Sequence, residues 1–501
     1  MKNRWKILLT ALAVVILSLG LTLLTLRVGP SSGLEAYKST LRAQGEKLEI
    51  SEVAPVPPLS GQNGRDAIEA AFSSLPNEIN VPYTIWMIAP GKAMPGWTQS
   101  VVGSSEFTNS WDDFTSEIAG YAPAIDYLRQ SAEFPKLDYG LNFQEGPALP
   151  LPHLAPYKRS AQLLAATIVC DLHNGQTGDA ATNLCVMLHL VKANEDENIF
   201  ISHLVRIAIA TMASGSTWGI LQTTNVTDAQ LAAIQKSWES LQYAQAAERA
   251  MLMERAMTLA TVTRARADGA YFDSLVGYSG GSFSGPGGWS DDLKQGIGKA
   301  MWRASWSYSE ESGSLHIDQI VLQTLRTMHT NQFWKTNYDT MQAQLSKINL
   351  TYPGQAIVHR LEIPDFEEFV GHEFAPGAVR RTMMAETGRR VVITAVALKR
   401  FQLKHGQFPD SLSALCPEFL AAVPVDPMDG NPLRYRKNDD GTYLLYSVGE
   451  DGVDDGGDPS FSALGKAANN YWQNDRARDW VWPQPATIAE IQTFWATNSM
   501  K

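Results

Sequence analysis

The strongest constraint on this chain is an uncharged apolar run of 20 residues from Ile7 to Leu26. At 1.5 Å per residue, a helix of that length spans about 30 Å, the hydrocarbon thickness of a bilayer. Three of the six residues before the run are basic, and only Arg27 follows it closely. Because basic residues are retained on the cytoplasmic side, the sequence predicts a signal-anchor transmembrane helix over residues 1–27 with its N-terminus in the cytoplasm. A cleaved signal peptide is the alternative, although its apolar region usually has only about 7–15 residues.

The composition indicates a folded chain. Apolar residues make up 44% of the 501 residues and charged residues 19%, which is enough apolar material for hydrophobic cores. The formal net charge is −11 and no long basic run occurs, so nucleic acid is not a predicted partner. The three cysteines, Cys170, Cys185 and Cys416, form no C-x-x-C pair. We expect buried free thiols, with a Cys170–Cys185 disulfide as the alternative in an oxidising compartment.

Periodicity and composition divide the remainder into four regions. Residues 28–150 form a mixed region with proline-rich spacers such as "APVPPLSG". Residues 151–365 repeat apolar residues at three- and four-residue spacing between short turns, which is typical of antiparallel helical hairpins, although no strict repeat period occurs. A Gly/Ser-rich loop at 276–290 interrupts them. Residues 366–475 form an α+β module, and the Trp-rich tail at 476–501 is expected to pack back over its sheet.

The module reads as one long helix followed by short strands. "ETGRRVVITAVALKRFQLKHG" has helical periodicity, and Gly406 and Pro409 end it. "PLRYR" and "TYLLYSV" are strand-like segments joined by "KNDDG", a good hairpin connection. The predicted fold class is therefore mainly α: an N-terminal transmembrane helix, a helical-hairpin ectodomain, and a small α+β module with a three-strand antiparallel sheet.

Three fragments of this module carry a family resemblance: "KHGQFPDSLSAL", "VPVDPMDGNPLRYR" and "YSVGEDG". In this order they resemble the C-terminal half of the major pseudopilin of type II secretion systems (protein G-like), over residues 386–460. That family carries a cleavage motif before its N-terminal helix, and "MKNRWKILLT" has no such element. The whole chain resembles large uncharacterised membrane-anchored bacterial proteins that end in this module. Together with the predicted anchor, this resemblance indicates a single-pass protein of the bacterial inner membrane with its bulk in the periplasm.

The resemblance also implies a calcium site in the loop after the last of these strands. The implied ligands are the carbonyl of Val448, the side chain of Asp451, and acids among Asp454, Asp455 and Asp458. Clustered carboxylates repel one another, and Ca²⁺ offsets that repulsion by taking about six to eight oxygen ligands. The family's later ligands have no clear match in "DDGGDPSF". A solvated acidic turn without an ion is the alternative.

No pattern in the sequence assigns a reaction. The G-x-S-x-G pattern at 277–281 follows a helical segment instead of a strand, so we interpret it as linker. His189 and His203 lie on apolar helical stretches and are interpreted as hydrogen-bonded core residues. The sequence predicts a non-enzymatic scaffold or interaction protein whose expected partners are envelope or secretion-system proteins. The alternatives are an envelope hydrolase with a site assembled from distant residues and a component of a type II secretion-like export apparatus.

Overall fold

The computed structural model describes residues 30–103, 107–278, 296, 298–331, 333–348, 374–460 and 478–498. Four features of the sequence analysis lie wholly or mostly outside the described residues: the signal anchor at 1–27, the serine of the G-x-S-x-G pattern at 279, the Gly/Ser loop at 276–290, and the boundaries at 365 and 475.

The N-terminal region consists of short helices and two small hairpins. The helices are α1 (residues 30–43), α2 (Ile50–Val53), α3 (Arg65–Ser74), α4 (Trp111–Gly120) and α5 (Ala122–Ser131). The strands form two antiparallel pairs, β1 (Ile85–Ala89) with β2 (Lys92–Pro95) and β3 (Val102–Gly103) with β4 (Thr108–Asn109). Ser110 begins α4 by accepting a hydrogen bond from the Asp113 N–H, the usual role of a serine N-cap.

Successive helices joined by short turns follow. They are α6 (Leu154–His173), α7 (Thr177–Ala193), α8 (Phe200–Leu221), α9 (Asp228–Glu239), α10 (Tyr243–Ala267) and α11 (Gly269–Tyr278). Gly175 has a φ of +74°, which lets the chain reverse between α6 and α7. A reciprocal pair of hydrogen bonds between Thr227 and Gln230 begins α9. Helix α7 packs against both α6 and α8, so neighbouring helices bury their apolar faces together.

The longest described helix organises the second half of the chain. A π-helical turn at Trp302–Trp306 leads into α12 (Ser307–Thr330), and α13 (Trp334–Leu345) and α14 (Phe374–His405) follow. Helix α14 has 32 residues and is therefore about 48 Å long. It packs against α8, α9, α10, α12 and α13. The mainly helical class predicted from periodicity is confirmed.

The small sheet near the C-terminus is three-stranded and antiparallel, as predicted. It contains β5 (Arg434–Lys437), β6 (Tyr443–Ser447) and β7 (Trp480–Val481), with β6 in the centre. Tyr435 lies opposite Leu445, and Tyr446 lies opposite Val481. The third strand therefore comes from the Trp-rich tail, which covers the second edge of β6.

The tail then reaches the N-terminal region. Strand β8 (Gln484–Pro485) pairs in parallel with β2, and α15 (Ile488–Asn498) follows it. The Lys92 ammonium and the Glu490 carboxylate form an ion pair beside this junction. Chain segments from both ends of the described structure thus meet in one sheet, in the order β1-β2-β8.

The helices and the terminal sheet share one hydrophobic core. A single buried cluster contains Leu164 of α6, Trp218 of α8, Val396 of α14 and Leu445 of β6. Within the described residues, α8 is the one helix long and apolar enough to cross a membrane, with a mean hydropathy of 1.3 over its best window. Most of that window, 67%, is buried inside the protein, which is typical of a core helix.

Candidate functional site

The predicted ligand loop, residues 448–458, is organised by a carboxylate from outside it. We call this segment the acidic loop. Asp479, fully buried directly before β7, accepts hydrogen bonds from the N–H groups of Gly457 at 2.8 Å and Asp458 at 3.0 Å. Its own N–H donates to the Asp458 carbonyl at 3.0 Å. Burial raises the pKa of Asp479, and these N–H donors oppose the rise. The N–H groups at the end of the loop are therefore already occupied by the Asp479 carboxylate.

A second buried carboxylate fixes the start of the loop. Asp426 accepts hydrogen bonds from the N–H groups of Met428 at 3.0 Å and Val448 at 2.9 Å. The Ser447 hydroxyl donates to the same carboxylate at 2.9 Å. The Val448 side chain is fully buried in a cluster with residues of α10, α12 and α14. Val448 is thus held in place by its N–H, which donates to Asp426, and by its side chain, which packs in the core.

The predicted acidic ligands are bound to several separate partners. Asp454 accepts hydrogen bonds from Tyr446 Oη at 2.9 Å and Arg434 Nε at 3.0 Å. Partial burial alone would raise the pKa of Asp454, but hydrogen bonds from the Gly456 N–H and from these two side chains lower it. Asp455 and Asp458 share Arg478, whose guanidinium lies 3.7 Å from the first and 3.6 Å from the second. Asp458 also accepts hydrogen bonds from the Ser460 N–H and hydroxyl, and exposed Asp451 accepts one from the Val453 N–H.

These side chains do not converge on one point. Across the described ranges, no group of three or more His, Cys, Asp or Glu is arranged to hold a metal ion. Ca²⁺ requires about six to eight oxygen ligands around a common centre, and the described residues alone do not supply such a set. The family's later ligands would fall within 461–477, which lies outside the described residues. Calcium binding therefore stays a prediction of the sequence.

A larger and chemically distinct site lies between α8 and α14. It is a cavity of about 450 Å³, which we call the arginine cavity. The two helices form its walls, and the side chains of Trp238, Tyr243 and Trp480 also line it. Its volume is within the range of small-molecule sites in proteins.

One face of α14 supplies the polar wall. Arg381, Ala385 and Arg389 are four residues apart, and so are Arg380, Met384 and Gly388, so all six lie on the same side of the helix. Gly388 is required for the close approach of the sheet, because a Cβ there would lie 2.4 Å from the Trp480 ring. Gly388 thus lets β7 pack closely against α14, and the arginines of the same helix face line the cavity beside this contact.

The three arginines have different partners. Arg380 forms a two-pronged ion pair with Glu450 of the acidic loop. Arg389 donates from Nε and Nη2 to the two oxygens of Glu386, each at 2.7 Å. Burial alone would raise the pKa of Glu386, but the guanidinium groups of Arg389 and its neighbour Arg390 lower it. Arg381 is exposed and has no hydrogen-bond or ion-pair partner in the part of the chain that the structure describes.

Tyr243 adds a buried donor to the same cavity. The residue is 1% exposed, and its hydroxyl has no partner among the described residues. Burial raises the pKa of Tyr243, so the phenol keeps its proton at neutral pH. A buried hydroxyl without a partner costs about 1–3 kcal/mol, and a ligand oxygen that accepts its proton removes that cost. Guanidinium, phenol and indole groups together suit a ligand with an anionic group and an apolar body.

No protein-family model, curated protein or solved structure matches this chain. The comparisons therefore leave the pseudopilin resemblance as an expectation. The function is inferred below from the geometry of the chain itself.

Sequence reasoning missed the arginine cavity. The pattern "RRTMMAETGRR" at 380–390 places two Arg-Arg pairs on one long helix, and four-residue spacing puts Arg381 and Arg389 on one face. That spacing was readable from the sequence. The facing wall on α8 and the ring of Trp480 are far away in the chain, and only the fold brings them together.

Proposed function

We propose that this protein is a membrane-anchored protein of the bacterial envelope that acts as a scaffold or interaction protein, and that its arginine cavity binds an anionic ligand with an apolar group. The observation that carries the proposal is that one cavity is lined by two unused donors. Arg381 is a cation without a partner among the described residues, and the Tyr243 hydroxyl is buried without one. Both groups donate hydrogen bonds, and both favour a carboxylate or a phosphate.

The composition of the lining supports binding over catalysis. The described lining residues are arginines, aromatic residues, hydroxyl residues and small or aliphatic residues. A hydrolase needs a general base within hydrogen-bond reach of its nucleophile, and these lining residues do not include a carboxylate, a histidine or a cysteine. His203 on α8 is not among the residues that line the cavity, and its Nε2 lies 3.0 Å from the Thr382 hydroxyl oxygen. Burial and Arg206 lower the pKa of His203, so its ring is neutral.

The location supports an interaction role. The cavity lies where α14, the shared core and β7 meet, so a bound ligand contacts both the helices and the terminal sheet. The anchor at 1–27 and the periplasmic location remain part of the proposal, since those residues lie outside the described ranges.

Binding of small anions to the full-length protein in detergent tests the proposal. Phenyl phosphate and benzoate are titrated by calorimetry, with benzyl alcohol as the neutral match. We expect saturable binding of an anion and none of the alcohol, and the preferred anion distinguishes a phosphate ligand from a carboxylate ligand. Arg381→Gln is expected to weaken binding about tenfold, the loss of one charge-assisted hydrogen bond. Tyr243→Phe is expected to weaken it several-fold.

Arg436→Gln is the matched control, because Arg436 is an exposed arginine on β5 away from the cavity. We expect this variant to bind like the wild type. Equal binding by Arg381→Gln and the wild type, or the absence of saturable binding by either anion, would overturn the proposal.

A further inference from the structure

A second cavity shares no lining residue with the arginine cavity and has the opposite charge. It has a volume of about 180 Å³ and is lined by the proline-rich segment at 54–58, by residues 136–141, and by Phe143, Ala193, Asp196 and Glu197. We call it the acidic cavity. The proline-rich segment, predicted to be a spacer, thus forms one wall of a site.

Glu197 is the buried acid of this cavity. The residue is 9% exposed, and its Oε1 lies 2.6 Å from Nε2 of His153. Its second oxygen, Oε2, is buried and has no partner among the described residues. A buried carboxylate oxygen without a donor costs free energy, so this atom favours a ligand that donates hydrogen bonds.

Aromatic groups lie beside this carboxylate. The Tyr139 ring lines the cavity and stacks on the His153 ring, with 3.9 Å between centroids. The Tyr139 hydroxyl is also buried without a partner among the described residues, and burial raises the pKa of Tyr139. The phenol therefore stays neutral, and its oxygen can accept a hydrogen bond. Phe143 adds a second aromatic ring to the lining.

The charges that line the cavity favour a cation. Asp138, Asp196 and Glu197 are three acids, and Lys136 is the one basic residue among the described lining. Lys136 is 2.7 Å from Asp196, which Arg249 also contacts at 3.2 Å. Asp196 is therefore already paired, and the Asp138 carboxylate and the free oxygen Oε2 of Glu197 remain to attract a positive ligand.

We infer that the acidic cavity binds an alkyl ammonium group. Such a group places its N–H donors on Glu197 Oε2 and the Tyr139 oxygen, while its methylenes pack against the prolines and Phe143. The cavity accommodates a short chain such as the end of a lysine side chain or a small diamine. The two sources share one chemistry, which is a primary ammonium on an aliphatic stem.

The test is calorimetric titration of the full-length protein with 1,4-diaminobutane, n-butylamine and the neutral 1-butanol. We expect saturable binding of the amines and none of the alcohol. Glu197→Gln is expected to weaken amine binding at least tenfold, and Asp138→Asn several-fold. Arg381→Gln, in the other cavity, is expected to leave amine binding unchanged, so the two sites are tested separately.

Circular dichroism and thermal melting show whether each variant is folded. If Glu197→Gln does not fold, Asp138→Asn decides the question, since Asp138 is half-buried and its contact with the Gly140 N–H can be kept by asparagine. Unchanged affinity in the folded variants, equal binding of 1-butanol, or no amine binding would overturn the inference and leave water as the partner of Glu197. Competition by the tripeptide Gly-Lys-Gly would support a protein lysine as the source, and binding of the diamine alone would support a free amine.

Discussion

Glu46 and Arg255 are 209 residues apart in the chain and form a buried ion pair, with 2.9 Å between Glu46 Oε2 and Arg255 Nη2. The Arg255 side chain is fully buried on α10, and Glu46 follows α1. Gln319 and Arg326 of α12 also donate to the Glu46 carboxylate. One carboxylate thus joins the N-terminal segment to two helices of the body.

We expect Glu46→Gln to destabilise the protein by about 3–5 kcal/mol, because it leaves a buried guanidinium without its counter-charge. Burial alone would raise the pKa of Glu46, but hydrogen bonds from Arg326, Gln319 and Arg255 lower it to about 2. The stabilisation is therefore present above pH 4.5 and is lost as the pH falls toward 2. Denaturant unfolding at pH 7 measures the loss. The control is Glu69→Gln, whose partner Arg65 is exposed, with an expected loss below about 1 kcal/mol.

Gly388→Ala is expected to destabilise the protein by about 1–3 kcal/mol, because the new methyl group would overlap the Trp480 ring. Gly377→Ala on the same helix is the matched control. A Cβ at that position meets no atom within 4 Å, so we expect a neutral or slightly stabilising effect. Combining Gly388→Ala with Trp480→Phe should cost less than the sum of the two single losses. Strict additivity in this cycle, measured by thermal unfolding, would argue against the contact.

Asp318 predicts a pH-dependent stability. Burial raises the pKa of this α12 carboxyl to about 7, with Glu254 adding to the rise and Arg255 opposing it. The folded state favours the protonated form, so stability falls as the pH rises from about 4 to about 7. Asp318→Asn removes this dependence. As the pH rises over that range, the free energy of unfolding of the variant is expected to increase relative to that of the wild type by on the order of a few kcal/mol. Denaturant unfolding at several pH values checks this, and a difference independent of pH contradicts it.

The acidic loop is expected to depend on Asp479 more than on its own acids. Asp479→Asn removes the anion that the Gly457 and Asp458 N–H groups face, and we expect a loss of about 1–3 kcal/mol. Asp451→Asn alters an exposed side chain and is expected to change stability by less than about 0.5 kcal/mol. Thermal melting of both variants checks the order.

Calcium provides an independent measurement at the same loop. The absence of saturable heat on titration with Ca²⁺, together with an unchanged Tm in the presence of a chelator, would favour the solvated acidic turn. A calcium-dependent rise in Tm that Asp451→Asn abolishes would show that the loop rearranges around the ion, and would support the ligand set implied by the pseudopilin resemblance.

Much of the helical architecture is readable from the sequence because each helix buries a face with regular spacing. The segment "YKRSAQLLAATIVC" has apolar residues three and four apart, and those positions are buried in α6. The pair β5 and β6 was also predictable, since "KNDDG" separates two alternating segments. A third strand was predicted, but its position in the sequence was not, because Trp480 and Val481 form a two-residue strand whose pairing depends on a distant partner.

The candidate sites were harder to predict for the same reason. The spacing of Arg381 and Arg389 marks a helix face, but a helix face becomes a cavity wall only when α8 lies opposite it. Glu197 shows no distinguishing pattern in "NEDEN", and its pairing with His153 depends on the packing of α6 beside the loop after α7. Acidic residues at 451–458 are conspicuous in the sequence, yet the carboxylates that order the loop are Asp426 and Asp479, which are isolated there.

The parallel pairing of β2 with β8 has a consequence for how the chain matures. The ribosome synthesises Lys92 long before Gln484, so the edge of β2 that β8 covers in the finished protein stays unpaired while most of the chain is being made. An unpaired edge is a template for joining another chain. The strand that is synthesised last therefore covers an edge of the first sheet. A chain whose translation stops early would keep that edge of β2 exposed and free to pair with another chain.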